Sequence, residues 1–580
     1  MKHIVKTGLK VAYRSTKRIA NSNKYGRRAI RVTKQAIVTI ANKSEPRELY
    51  NLDSFYPTIQ QYYFQSKDVL KDDPLISILL PTYNTPETYL RECLDSILVQ
   101  SYAKWELCIA DDNSTNPNIV KIVKEYQAKD DRVKLIERKH NGHISEATNS
   151  ALSIAKGEFV SLMDHDDLLW PNALYEMVQV IRDDRKVDFV YSDEDKIDGT
   201  GKVHSYPFLK PDFSPEFLES CNFITHFSCI RTTVITSVAA FRKGYEGAQD
   251  WDLFIRIGEV TDKIVHIPKI LYSWRIHEAS TASNTDAKPY VYEAQKKLLT
   301  DHLTRTNRQG TIETGIITQH RTINYEVDPK TEVTVIIFYS QLEGSKRLTQ
   351  SLVSVNAGLP LNVMYVSGEP IPDNVRKELS SCAPTLPVIF TVLNQNELKA
   401  RYSICAARAT TEYLIFAEDC VELLSANYAQ RFVADCQLPG VGIVGPVLLS
   451  ESKLTVRSAG IGIGYGSNGY ADMLDGMPFD DPHYTRGLYA KSRRNVSAVN
   501  GALFVSRASV LRNIKNASTA IKLSKELLDR NYRHIYTPYV QAIYYGSLPT
   551  YDKEVVQPKQ EDPYLNPNFN HENPRMEVRG

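Results

Sequence analysis

Nowhere does the chain carry about 18 consecutive apolar residues, the length an apolar helix needs to cross a bilayer, so no membrane span is expected. It also lacks any Cys-x-x-Cys pair. Its eight cysteines (Cys93, Cys108, Cys221, Cys229, Cys382, Cys405, Cys420 and Cys436) are scattered without metal-ligand spacing, which excludes a zinc-finger or redox-motif reading. No secretory leader is legible, so the thiols are expected to be reduced and buried as small hydrophobes. Acid is missing from one place: residues 1–44 hold twelve Lys and Arg and no Asp or Glu. That +12, in a chain whose total is +2, leaves −10 for the remainder. Ile4, Val5, Leu9 and Val11, then Ile30, Val32, Ile37 and Val38, interleave with these cations. A basic amphipathic segment of this kind suits an anionic membrane surface, each cation near lipid contributing about 1 kcal/mol. Nucleic-acid contact and a merely solvated basic helix are the alternatives for the segment. The reading carried forward is a cytoplasmic protein held peripherally on the inner face of the cell membrane, with no nucleic-acid partner.

With 580 residues the chain exceeds what one hydrophobic core supports, so two main domains are expected. The expected organisation is a basic amphipathic segment (1–45), a helical linker (46–73), a first domain (74–325), a second domain (330–550) and an extended C-terminal tail (551–580). From residue 75, short apolar runs alternate with amphipathic helical stretches, the pattern of a mostly parallel α/β sheet covered by helices. LISILLPTYN (75–84) and WELCIADDNS (105–114) read as strands, with the helical pattern ETYLRECLDSILVQ (87–100) between them. Ligands of open α/β sheets gather at the carboxyl ends of the strands, where Thr82, Tyr83, Asp111 and Asp112 fall. Gly142 then allows close backbone approach before a helix.

A further strand runs into Asp164-His165-Asp166-Asp167. Alternate residues of an extended segment point the same way, so the carboxylates of Asp164 and Asp166 can converge on one cation, and oxygen ligands suit Mg2+ or Mn2+. FVYSDEDKID (189–198) brings Asp193, Glu194 and Asp195 to the end of another strand. GYEGAQDWDLFIRI (244–257) opens a helix carrying Asp250, Trp251, Asp252 and Arg256. Asp250 is either a dipole partner of that helix or a general base. His277 is either structural or a third metal ligand.

The blocks PTYN, ADDNS, NGHISEATNSAL, GEFVSLMDHDDLL, VYSDEDKID, FLKPDFSP and EGAQDWDLFIR, in this order across residues 75–280, resemble the inverting glycosyltransferases of family 2. The resemblance implies a GT-A nucleotide-diphospho-sugar transferase fold, Rossmann-like in its sheet. It implies nucleotide contacts from Pro81, Thr82, Tyr83, Asp111, Asp112, Gly142 and Asp164, and a metal-diphosphate site at Asp164 and Asp166 with His277. It makes Asp250 the base, and gives acceptor or supporting roles to Asp193, Glu194, Asp195, Trp251, Asp252 and Arg256. Gln249 stands where the family usually has Glu. GHISEATN and KPDFSP look most like transferases of bacterial surface polysaccharides, rhamnosyltransferases included. No Q-x-x-R-W signature of processive synthases occurs. The implied partners are therefore a nucleotide-sugar donor, a lipid-linked saccharide acceptor and other polysaccharide-assembly enzymes.

Self-comparison adds a repeat. VTVIIFYSQ (333–341) parallels ISILLPTYN, and LNVMYVSGEP (361–370) parallels WELCIADDNS. The strand ending at Glu418 parallels the one leading to Asp164. The fold is expected twice, the second copy degenerate: Glu418 and Cys420 fall opposite Asp164 and Asp166, Ser367 and Gly368 opposite Asp111 and Asp112. Ala520, Lys522 and Glu526 fall opposite Asp250, Asp252 and Arg256. A chain with two active sites, a non-catalytic scaffold and a nucleotidyltransferase are the competing readings, the last weakened by the absence of a phosphate-binding glycine loop after the first strand.

Overall fold

A computed structural model describes residues 72–277, 289–356, 358–515, 517–547 and 562–577. The expected basic segment, nearly all of the expected helical linker, and residues 548–561 and 578–580 lie outside the described residues. Among those described, no helix is long and apolar enough to cross a membrane.

The first sheet contains β1 (Ile76–Thr82), β2 (Trp105–Asp111), β3 (Val133–Glu137), β4 (Phe159–Leu162), β5 (Leu168–Leu169), β6 (Phe189–Ile197), β7 (His204–Phe208), β8 (Ser228–Arg231) and β9 (Ile264–Arg275). Their order is β3-β2-β1-β4-β8-β6-β9-β5, with β7 on β6. β3, β2, β1, β4, β6 and β9 all run the same way, while β8, β7 and β5 oppose them. Every residue of β1 and β2 is buried, which is why these strands read as near-continuous apolar runs. Helix Glu87–Leu98 covers one face through Leu90, Cys93, Leu94 and Ile97, and helix Asn118–Gln127 through Ile119, Ile122, Val123 and Tyr126. The i, i+3, i+4 spacing of those residues makes each helix one-sided.

Helix Pro289–Arg305 and the hairpin β10 (Gly310–Thr314)–β11 (Arg321–Tyr325) lead into a second sheet. It holds β12 (Val333–Phe338), β13 (Leu361–Ser367), β14 (Val388–Val392), β15 (Tyr413–Glu418), β16 (Val421–Leu423), β17 (Val441–Leu449), β18 (Val456–Ser458), β21 (Arg494–Val496), β22 (Leu503–Arg507) and β23 (Arg533–Tyr544). Between β18 and β21, β19 (Ile461–Ile463) and β20 (Tyr470–Asp472) pair as a separate small sheet. The order β14-β13-β12-β15-β22-β17-β23-β16, with β18 on β17, repeats the order of the first sheet, and β21 on β23 is an addition. Each pairing also keeps its direction. Ile76 pairs with Trp105 and Phe159, and Val333 with Leu361 and Tyr413. Counted from those anchors, Glu418 stands at the register of Asp164, Cys420 at that of Asp166, and Ser367 at that of Asp111.

The two sheets are tied by buried charge. Glu219 accepts from Arg493, from Tyr325 Oη at 2.8 Å and from Arg308 at 3.2 Å, with His302 Nε2 also at 3.2 Å. Arg493 also donates to Asp435 at 2.7 Å, and Arg533 to Glu216 at 2.7 Å. The described part of the tail lies across both sheets: Asn566 donates to Asp193 Oδ2 and to the Lys210 carbonyl, while Asp562 accepts from Ile463 N and Ser497 Oγ. That described part is thus bound into the fold. All eight cysteines are unpaired, and six are buried, as expected of small hydrophobes.

Candidate functional site

The carboxyl ends of β1, β2 and β4 meet at one cleft. Asp111 ends β2 and is spent on its own turn, accepting from Ser114 N at 3.0 Å and Ser114 Oγ at 2.5 Å. Thr82, at the end of β1, donates to Asp111 at 3.4 Å. Asp112 accepts from Arg138 Nε at 2.8 Å and Gly142 N at 2.9 Å, so it fixes the loop that carries Gly142. A Cβ on Gly142 would overlap Glu146 and Arg138, which is why that position is glycine. Pro81 is held in register beside Ala110, whereas the ring of Tyr83 is 44% exposed at the cleft. Of the expected nucleotide contacts, Tyr83 offers an open face and Asp112 works through Gly142.

The Asp164–Asp167 turn follows β4. Asp164 Oδ2 lies 3.5 Å from His226 Nε2, and Asp166 Oδ2 lies 2.8 Å from His277 Nε2, so each of the two expected metal carboxylates faces its own imidazole. Asp164, Asp167 and His226 bring ligand atoms within 4.8 Å of one another. Asp167 points inward, accepting from Tyr272 Oη at 2.6 Å and Arg275 N at 2.8 Å. Burial, then the neighbouring charges of Asp166 and Asp164, push its carboxyl well above the usual range. Burial works against the charge of His226, yet Asp164 and Glu194 outweigh it and raise its pKa. Asp164 and Asp167 with His226, the second acid buried and short of positive charge, fit a divalent cation that prefers oxygen and accepts nitrogen.

Asp250 begins helix Gln249–Gly258. Its Oδ2 accepts from Asn222 Nδ2 at 2.7 Å and its Oδ1 from Trp251 N at 2.8 Å. Burial raises its pKa, opposed by His226, with Asp164 adding a smaller push upward. A carboxylate made more basic in this way suits proton abstraction. The residues around it are braces. Asp252 pairs with Arg242 and with Arg256 at 2.7 Å, Arg256 also donates to the carbonyls of Val238 and Ala240, and Trp251 Nε1 donates to the Leu218 carbonyl at 2.6 Å. Asp193 accepts from Lys210 N, Asn566 Nδ2 and His266, and Asp195 pairs with His204 at 2.7 Å. All five are thus engaged by other groups of the protein. Glu194 accepts from Lys210, Thr225 and His226 N, and its Oε2 is 3.3 Å from His226 Nδ1.

A family model described as glycosyl transferase family 2 matches residues 77–243. MJ1057 of Methanocaldococcus jannaschii, named an uncharacterized glycosyltransferase, is 30% identical over 213 residues, covering 35% of this chain and 72% of that protein. The chain belongs to glycosyl transferase family 2. The family likeness extends well past the matched domain. The uncharacterized protein y4gI of Sinorhizobium fredii (strain NGR234) is 32% identical over 503 residues, 82% of this chain and 54% of that one. The O-antigen biosynthesis protein RfbC of Myxococcus xanthus is 30% identical over 446 residues, 76% of this chain and 34% of that one. The chain thus spans about half and about a third of these two relatives, and both alignments are too long to fit within either half of it.

At the matching place in the second sheet this family 2 chain is closed. Glu418 is paired with Arg401 at 3.3 Å, and Arg401 lies over the ring of Phe338 at 4.3 Å. Asp419 accepts from the backbone N–H of Ser340 and of Gln341, both at 2.7 Å, locking the loop after β12. Cys420 and Val421 occupy the registers of Asp166 and Asp167. Sequence reasoning missed His226 and Asp167. His226 lies in no recognisable block and meets Asp164 only through the pairing of β4 with β8, whereas Asp167 could have been singled out as the third acid of its run.

Proposed function

We propose that this family 2 chain is an inverting, metal-dependent glycosyltransferase that moves a sugar from a nucleotide-sugar to a lipid-linked saccharide acceptor in bacterial cell-surface polysaccharide synthesis. One observation carries the reading: Asp250, half-buried and made more basic, shares a cleft with the Asp164–Asp167–His226 group. Asp250 takes the proton of the acceptor hydroxyl as that oxygen attacks the anomeric carbon from the face opposite the nucleoside diphosphate, which inverts the centre. Asn222 and Trp251 N fix one carboxylate oxygen each, so the base is aimed before the acceptor arrives. Asp164, Asp166 and Asp167 with His226 and His277 would hold Mg2+ or Mn2+, whose charge stabilises the departing diphosphate. Gly142 brings backbone close to the nucleotide, and Tyr83 offers its ring to the base.

The second sheet is proposed as a degenerate copy of the first, without turnover. Its identical strand order supports a duplication, and the Arg401–Glu418 pair, together with the loss of acids at Cys420 and Val421, supports loss of chemistry. The basic residues 1–44 support a cytoplasmic, membrane-surface location beside lipid-linked acceptors. The test is donor hydrolysis and transfer by the purified protein with UDP-, GDP- and dTDP-sugars, dTDP-rhamnose among them, with Mg2+ or Mn2+. Metal-dependent turnover that is lost in Asp164→Ala and Asp250→Ala but kept in Glu418→Ala supports one site in the first half. Loss in Glu418→Ala alone would move the chemistry to the second half.

A further inference from the structure

Beside this cleft stands a cation without an anion. Lys196 follows Glu194 by two positions on β6, so both side chains leave the same face of the sheet, the face of His226. Its ammonium is ringed by aromatics: Nζ lies 4.6 Å from the Tyr484 ring centroid, 5.2 Å from Trp274 and 5.9 Å from Tyr206. Among the described residues no carboxylate comes within ion-pair distance of it. Glu194 is its nearest electrostatic partner, but Glu194 Oε2 is already taken by Lys210, Thr225 and the His226 backbone. Lys210 shows how this fold satisfies a buried ammonium when the role is structural. It donates to the carbonyls of Ser192, Ile224 and His226 as well as to Glu194. Lys196, half-buried, faces rings instead, which attract a cation without accepting its hydrogen bonds, and its ammonium makes no hydrogen bond to the described residues.

The rings are also placed for a sugar. Trp274 sits with its centroid 5.6 Å from that of His226, whose Nε2 is 3.5 Å from Asp164. Tyr484 reaches in from the second half of the chain and keeps 39% of its surface exposed, held edge-on by Phe208 at 5.3 Å. Partly open rings stack on the apolar face of a pyranose, and an ammonium among them selects for negative charge.

We propose that Lys196, Trp274, Tyr206 and Tyr484 form an acceptor subsite for a sugar residue bearing an anionic group, either a uronate carboxylate or a phosphate ester. This rests on the transferase reading above and deepens it. It also gives the second half of the chain a task, since Tyr484 supplies one wall of the subsite. A neutral sugar would stack there but leave the ammonium unpaired.

The test is equilibrium binding to the full-length protein, read by calorimetry so that no turnover is needed. The probes are a disaccharide ending in glucuronate, the methyl ester of the same disaccharide, and one ending in a phosphorylated hexose. At least one acidic probe is expected to bind tenfold or more tightly than the ester, and the favoured probe tells uronate from phosphate. Lys196→Met is expected to erase that preference without weakening the ester, Lys196→Arg to keep most of it, and Tyr484→Ala to weaken all three. Equal binding of all three by the wild type, or a preference that survives Lys196→Met, overturns the subsite. Donor hydrolysis measured on the same samples reads the transferase proposal separately. A wild type that hydrolyses donor yet ignores acid on the acceptor loses only the subsite, and one that prefers acid without touching any donor loses only the transferase reading.

Discussion

Replacing Arg493 by Met tests whether the buried charge cluster holds the two halves together. The guanidinium is 1% exposed and bridges Glu219 of the first half to Asp435 of the second, with the Tyr325 ring 5.3 Å away. Glu219 retains Tyr325, Arg308 and His302 when Arg493 is lost, but among the described residues Asp435 has no other side-chain partner. Breaking a buried pair from one side costs about 3–5 kcal/mol, because the remaining charge must be neutralised or hydrated. Burial already raises the Asp435 pKa in the folded protein, with Arg493 opposing it. Without Arg493 that pKa rises further. A carboxyl whose folded pKa is raised contributes stability below its unfolded pKa and loses it as pH climbs through the folded value. The deficit of the variant therefore grows from pH 5 to pH 8, by about 1.4 kcal/mol for each unit of added shift. All four tryptophans lie between residues 105 and 274, so fluorescence follows the first half, while far-UV circular dichroism follows both. In urea the wild type is expected to show coincident transitions. In the variant the dichroism midpoint drops and the two curves separate. Lys124→Met, which removes an exposed pair with Glu137, serves as the control and should cost less than about 1 kcal/mol. A loss below about 1 kcal/mol for Arg493→Met, equal at both pH values, would refute the reasoning.

Asp250→Asn, which keeps the shape but cannot accept the proton, is expected to cut transfer by about 10²–10⁴-fold with donor affinity unchanged, measured by initial rates beside donor titration. Arg401→Ala is expected to leave transfer within about threefold of wild type, because Arg401 neutralises Glu418 in the second sheet and touches nothing in the first cleft; rates on a fixed donor check this. His534, fully buried with its Nε2 bonded to the Ser524 carbonyl, has its pKa pushed down to about 4 by burial. Its stabilising effect is complete above the unfolded pKa of about 6.5 and is lost as pH falls toward 4, roughly 2 kcal/mol by pH 5. Thermal unfolding at pH 7 and pH 5 should show that sensitivity, and His534→Gln should reduce it.

The strands of both sheets were readable because each is an apolar run closed by polar turn residues, and the repeat was readable because those runs recur in the same order. The same logic marked the Asp164–Asp167 turn. It left open which groups stand beside each acid. Asp166 was expected beside Asp164 on one cation; Asp164 groups with Asp167 and His226, and Asp166 faces His277 on the same turn. Asp193, Glu194 and Asp195 read as one acidic block, but Asp193 and Asp195 serve His266 and His204 while Glu194 turns to His226. Strand alternation separates them, and their partners lie on segments that sequence spacing does not relate.

What the sequence alone determined is the local chemistry: which stretches are strands, which acids end them, and that Ser367, Gly368 and Cys420 stand where the first set has acids. These follow from neighbours within a few residues, where periodicity and turn chemistry act. Only the tertiary structure decided which charges are satisfied. Asn566 of the tail braces Asp193, Arg493 bridges both halves, and Lys196 is left among rings from three separate segments. Each depends on side chains brought together across tens or hundreds of residues. Burial then makes an unpaired or paired charge matter by several kcal/mol, where in an extended chain water would make it matter hardly at all.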